Sequence, residues 1–293
     1  MKVEAMLKNY KAMVEAALEK KMTVGDIPEK PVFDAMYYSA MLGGKRIRPA
    51  LMMEFCRICG GNPEDALCCA MGMEMIHTSS LIHDDLPCMD NDDMRRGKPS
   101  CHKAFSEDTA LLAGDGLLMW AISVAGETQL PDRLVRRAMK RLADAAGASG
   151  MVGGQVCDLA AEKQENVTRE QLEYMHKKKT GALICASAEI GCILADADDE
   201  KISAALKYAE NIGLVFQIVD DILDVIGDEA LLGKPIGSDA DNKKTTWVTL
   251  LGIEGAKEYA ARLTAEAKES LSVLGQEAQN LKDLADMLLN RNF

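Results

Sequence analysis

No proline interrupts residues 132 to 234, although the 293-residue chain carries eight of them elsewhere. Proline removes a helical hydrogen bond and clashes with the preceding turn, so an interval this long without one is free to be helical. Good helix formers (Ala, Leu, Met, Glu and Lys) fill it, whereas aromatics make up 4% of the chain and alternating β-branched segments are scarce. Leu172, Met175, Leu183 and Ile184, then Ile202, Leu206, Ile212, Val215 and Val219, recur in helical register, on stripes that must pack face to face. The sequence therefore predicts an all-α fold. No Ser/Gly/Pro tract or low-complexity block divides it, so residues 1–293 read as one domain, a large helical bundle around a central cavity.

The net charge of −12 disfavours broad nucleic-acid binding, because a polyanion is met by a basic surface. Charged residues run through Met1–Met22, which excludes a signal-peptide core there. The stretch from Gly181 to Ala195 is apolar but contains Glu189 and falls short of the roughly 20 residues a membrane span needs, so no membrane anchor is expected. Nine cysteines, an odd number that includes the adjacent Cys68 and Cys69, read as free thiols in a reducing cytoplasm. Cys56-x-x-Cys59 lacks partner ligands at zinc-site spacing.

Two acidic clusters lie 136 residues apart, each after an apolar helical run. In His83-Asp84-Asp85-Leu86-Pro87-Cys88-Met89-Asp90-Asn91-Asp92-Asp93, like charges crowd together and repel unless a cation holds them. In an unbroken helix Asp84 and Asp90 would point about 120° apart. Pro87 supplies a break that lets them turn toward one point. In Asp220-Asp221-Ile222-Leu223-Asp224, residues 220 and 224 already share a helical face. A set of hard carboxylate oxygens selects Mg²⁺, which keeps several waters and shares its remaining positions with substrate phosphates. Basic groups recur nearby: Lys45, Arg46 and Arg48; Arg95 and Arg96; Lys177, Lys178 and Lys179; Lys234, Lys243 and Lys244. In an acidic chain they suggest a diphosphate site, with Lys177 and Lys178 read as surface residues.

These motifs resemble those of the trans-prenyl diphosphate synthases, of the bacterial farnesyl/geranylgeranyl type. The matching residues are Gly43-Gly44-Lys45-Arg46-Ile47-Arg48-Pro49, Asp84 to Asp90 with Arg95-Arg96-Gly97, Lys179-Thr180-Gly181, Phe216-Gln217-Ile218-Val219-Asp220-Asp221-Ile222-Leu223-Asp224 and Gly233-Lys234-Pro235. The resemblance implies the isoprenoid synthase helical fold, a homodimer, and Mg²⁺-dependent head-to-tail condensation of isopentenyl diphosphate with allylic diphosphates of C5, C10 and possibly C15. It further implies that Asp84, Asp90 and Asp220 hold Mg²⁺, three ions in all, with Asp85, Asp221 and Asp224 in support. Arg95, Lys179 and Lys234 would grip the allylic diphosphate. Lys45, Arg48, His77 and Arg96 would take that of isopentenyl diphosphate, Thr180 and Gln217 would face the developing cation, and Lys244 would help close the site.

The chain departs from the family twice. Ser79 stands five residues before Asp84, where fifteen-carbon enzymes often carry a bulky aromatic, so room for a twenty-carbon product is expected, with Met75 as a possible floor. Trp247 stands where Tyr is usual, and little consequence is expected. Three rival readings remain. Glu74-x-x-His77 and Glu173-x-x-His176 have the spacing of a di-iron bundle. A terpene cyclase would share the aspartates but need no isopentenyl pocket. A non-catalytic partner subunit would need neither acidic cluster.

Overall fold

The computed structural model describes residues 2–164, 166–226 and 244–291. Its helices are α1 (Val3–Met22), α2 (Lys30–Ala40), α3 (Ile47–Ile58), α4 (Leu67–Asp84), the short α5 (Cys101–Ala104), α6 (Glu107–Ala125), α7 (Asp132–Ala146), α8 (Met151–Ala161), α9 (Arg169–His176), α10 (Ala182–Leu194), α11 (Asp199–Ile226), α12 (Trp247–Ser270) and α13 (Gln279–Leu289). The all-α expectation holds. The stripe logic is plain in α1, where Met6, Tyr10, Val14, Leu18 and Met22 repeat every four residues and are all buried.

Helices α4 and α10 are buried on most sides and carry the bundle. Helix α4 packs along α6, and α10 along α3, while α11 lies against α12. Glycine permits the first two approaches. A Cβ on Gly72 of α4 would stand 2.6 Å from the Ala121 carbonyl of α6, and one on Gly191 of α10 would stand 2.3 Å from the Met52 carbonyl of α3. Helix α6, not Gly181–Ala195, is the described helix whose length and apolar composition match a membrane span; here it packs against α2 and α4.

Three irregular segments shape the site. Lys177–Gly181 forms one π-turn between α9 and α10, a local widening of the kind found at functional positions. Helix α4 stops at Asp84, and the chain then folds back. The hairpin of β1 (Met94–Arg95) and β2 (Lys98–Pro99) turns on Arg96 and Gly97, both at positive φ, 53° and 75°. That is the backbone a tight two-residue hairpin loop requires.

Candidate active site

The fold-back after α4 does what Pro87 predicts. The Asp90 N–H donates to the Asp84 carbonyl at 2.8 Å and the Asn91 N–H to the Leu86 carbonyl at 3.1 Å, with Asn91 at φ 53°. Asp84 and Asp90 thereby become electrostatic neighbours. Burial is the main reason the Asp84 carboxyl is pushed up to about 6; Lys179 opposes the shift and Asp90 adds to it. Asp90 is raised as well, again chiefly by burial.

The second cluster arrives on α11. Asp220 and Asp221 line a polar hollow of about 200 Å³ together with Gln217, Lys179, Lys244 and Asp158. Lys179 also lines an adjacent apolar cavity of about 520 Å³ that includes Asp84. Its ammonium lowers the pKa of Asp84 and Asp90 in the first cluster, and it lines the hollow with Asp220 and Asp221 of the second, so one lysine borders both acidic groups. Asp224, a turn beyond Asp220, is buried.

The cations at the hollow sit on acids. Lys179 Nζ is 2.5 Å from Asp158 Oδ2 on α8, and Lys244 Nζ is 3.0 Å from Glu162 Oε1, the residue just after that helix. Arg291, at the end of the described chain, places Nη2 2.7 Å from Asp220 Oδ1 and lies 3.9 Å over the Phe216 ring. Asp158, Glu162 and Arg291 are absent from the motifs quoted above. The adjacent Gly153 and Gly154 could have flagged α8: a Cβ on Gly154 would stand 2.1 Å from the Lys179 backbone nitrogen, so glycine lets α8 lie against the π-turn. Nothing in the sequence singles out Arg291.

Beside the apolar cavity stands a positive group. Arg48 and His77 line the cavity. Arg48 is half-buried, its enclosed Nε lacks a hydrogen-bond partner among the described residues, and burial lowers its pKa. His77 is driven well below its ordinary range by burial first, then by Arg48 and Arg96. Arg96 is held against Gly44, where φ is +126° and a Cβ would stand 2.6 Å from the guanidinium, so only glycine fits. Lys45 is lowered by burial and by Arg291, and Asp220 opposes that shift. Gln155 on α8 adds to the same cavity wall a buried Nε2 without a partner among the described residues.

The hydroxyl of Thr180 donates to the Gln217 amide oxygen, linking the cavity to the hollow. Ser79 and Ser80 line the apolar cavity, whose far wall is Leu111 and Leu118 of α6 with Val152 and Val156 of α8. Met75 is fully buried in the core instead of forming a floor.

Several expectations need correction. Arg95 lines neither the cavity nor the hollow; its Nε reaches both oxygens of Asp85 at 3.1 Å and its Nη2 lies 3.5 Å from Asp92. The fork geometry of guanidinium on carboxylate explains why Asp85, 2% exposed, is tied up by this pair. The two Glu-x-x-His pairs do not assemble a di-iron site, because Glu74 is paired with buried Arg46 and Glu173 with Lys177 at 2.6 Å. Cys56 Sγ faces the Asn62 carbonyl, and among the described residues no three His, Cys, Asp or Glu side chains group to hold a metal ion. Trp247 matters more than expected. It is fully buried, its indole N–H donates to His176 Nδ1 at 2.9 Å, and its backbone N–H donates to Asp221 Oδ2 at 2.7 Å. Lys234 and Lys243 lie outside the described residues.

The donor set fits Mg²⁺. The mutually repelling carboxylates of Asp84 and Asp90 beside one lysine are short of positive charge, and an ion that takes part of its shell from water and phosphate needs no closed protein cage.

Known proteins are similar to this chain over most of its length. The model of the polyprenyl synthetase family matches residues 29–287. A geranylgeranyl diphosphate synthase of Cyanophora paradoxa is 44% identical over 284 residues, 96% of this chain and 94% of that protein. A farnesyl diphosphate synthase of Geobacillus stearothermophilus is 46% identical over 262 residues, 88% of each chain. Among solved structures, an FPP/GFPP synthase of Zymomonas mobilis superposes with a TM-score of 0.89 at 36% identity, covering 98% of both chains. This chain belongs to the polyprenyl synthetase family.

Proposed function

We propose that residues 1–293 work as one catalytic domain, a short-chain prenyl diphosphate synthase that joins isopentenyl diphosphate head to tail (1′-4) to allylic diphosphates, with a C15 to C20 product. The observation that carries this reading is Lys179, which faces both acidic groups and lines both the polar hollow and the apolar cavity. A reaction that ionises a diphosphate beside a growing hydrocarbon needs those two environments in contact.

Asp84, Asp90 and Asp220 would hold Mg²⁺, three ions in the family's manner, with Asp221 supported by the Trp247 N–H. Mg²⁺ held there would supply charge neutralisation for a leaving diphosphate. Lys179 and Lys244 supply further positive charge once they turn from Asp158 and Glu162 toward the substrate. The Thr180 hydroxyl donates its hydrogen bond to Gln217 Oε1, which leaves the lone pairs of the hydroxyl oxygen to face the allylic cation. The aliphatic walls exclude water that would quench that cation. Arg48, Arg96 and His77, with Lys45 beside Asp220, take the isopentenyl diphosphate. The released diphosphate is a sufficient base for the last proton, so no protein base is required.

A homodimer and a cytoplasmic location belong to the same reading. Aliphatic side chains exposed on α6, including Leu112 and Met119, and on α8, Val152 and Val156, form a face that a second copy would cover. All nine cysteines are free thiols, as in a reducing compartment.

Incubation with labelled isopentenyl diphosphate, Mg²⁺ and each of the C5, C10 and C15 primers tests the activity directly; no incorporation with any primer refutes it. Ser79, buried in the cavity wall, supports the longer product. Ser79→Tyr is expected to shift the product mixture from C20 toward C15, and an unchanged distribution removes Ser79 from the ruler.

A further inference from the structure

At the end of α3 opposite Arg48, Cys59 meets Cys192 of α10, with the sulfurs 3.6 Å apart. The two residues are 133 positions apart in sequence, so this is a tertiary contact. The helices are already as close as backbone allows, because Gly191, next to Cys192, presses on the Met52 carbonyl of α3. A disulfide bond is about 2.05 Å long, so the sulfurs need to approach by only about 1.5 Å. Cys59 is partly exposed and Cys192 fully buried, an accessible thiol backed by a protected one. Cys56 does not compete, since its Sγ is turned to the Asn62 carbonyl.

We propose that Cys59 and Cys192 form a reversible oxidation site, closing to an intramolecular disulfide when a peroxide reaches Cys59. The Cys59 sulfur attacks one peroxide oxygen, the O–O bond breaks, and one water leaves behind a sulfenic acid. Cys192 then attacks that sulfur and the second water departs. Both thiol protons end in water, two electrons pass from sulfur to peroxide, and an external thiol reverses the step. A shared hydrogen bond with Cys192 and the ammonium of Lys201 hold the Cys59 thiol below its ordinary range, which favours the attacking thiolate, while burial and Asp198 oppose it. The cross-link joins two helices whose other ends lead to Arg48 and to the turn bearing Lys179 and Thr180.

The test is hydrogen peroxide treatment of the folded full-length protein, alkylation of the remaining thiols, digestion without reductant and peptide mass analysis. The expected product is a peptide pair joined through Cys59 and Cys192, lighter by two hydrogens and separated again by dithiothreitol. Cys59→Ser, at the partly exposed position, should give no such pair and leave Cys192 alkylatable only after unfolding. Two results overturn the proposal: Cys59 and Cys192 both alkylated after exposed Cys88 has been oxidised, or a 59–192 link that appears only in denaturant.

Discussion

At the polar hollow the described cations face acids: Lys179 meets Asp158 and Lys244 meets Glu162 in its lining, and Arg291 reaches Asp220 from beside it. Across Lys179, on the wall of the apolar cavity, Arg48 and His77 are half-buried next to Arg96, and the nearby acid Glu74 is spent on Arg46. The first region is internally compensated, so anything it binds must exchange partners. The second keeps a standing positive charge in low dielectric, which favours an anion without rearrangement. A compensated site suits a metal-borne diphosphate that carries its own cations; a positive one suits a bare diphosphate. The contrast is what the proposed function expects if the allylic substrate takes the hollow and isopentenyl diphosphate the arginines.

The largest effect expected from breaking this contrast is in the hollow. Asp84→Asn or Asp220→Asn should reduce the condensation rate by about a thousandfold or more, the scale on which groups that stabilise transition-state charge act, with the helical circular dichroism unchanged. Near-normal turnover by either variant would count against the assignment. On the positive side, Arg48→Gln removes a charged donor to a bound anion. The KM for isopentenyl diphosphate should rise by about 10- to 100-fold while that for the allylic primer stays nearly constant. An equal rise in both constants would erase the distinction between the two regions.

Smaller still is the effect at His176, which accepts from Trp247 and is 9% exposed. Burial pulls its pKa from 6.5 down to about 4. The unfolded chain binds a proton there below pH 6.5 while the folded one resists to about 4. The contribution of His176 to stability is therefore present above pH 6.5 and lost as pH falls through this window. An imidazole NMR resonance that stays in its neutral position from pH 7 to 5 is the expected observation; a midpoint near 6.5 would show that His176 is not locked behind Trp247.

The helical class and the fold-back at Pro87 were legible because both rest on local chemistry: proline placement, helix propensity and charge crowded within ten residues. The family motifs likewise carried Lys179, Thr180 and Gln217 to positions that the structure brings together. What stayed hidden depends on distant partners. Nothing near Arg95 in sequence announces that Asp85 will occupy its guanidinium, since that pairing needs the β1–β2 hairpin to return beside α4. The Trp247 indole is decided by a histidine 71 residues away. The π-turn is invisible to a 3.6-residue pattern because it adds one residue to a single turn. Gly153-Gly154 was the readable clue passed over: two adjacent glycines within a helix cost about 1 kcal/mol each relative to alanine, which a chain sustains where backbones must touch.

The central claim is that the two acidic groups act on one diphosphate. Calorimetric titration of inorganic diphosphate in Mg²⁺ buffer into the wild type, Asp84→Asn, Asp220→Asn and the double variant measures their coupling. A shared site predicts that each single change weakens binding at least about tenfold and that the double variant binds hardly worse than either alone. Losses that multiply in the double variant, as for two independent sites, would contradict the claim.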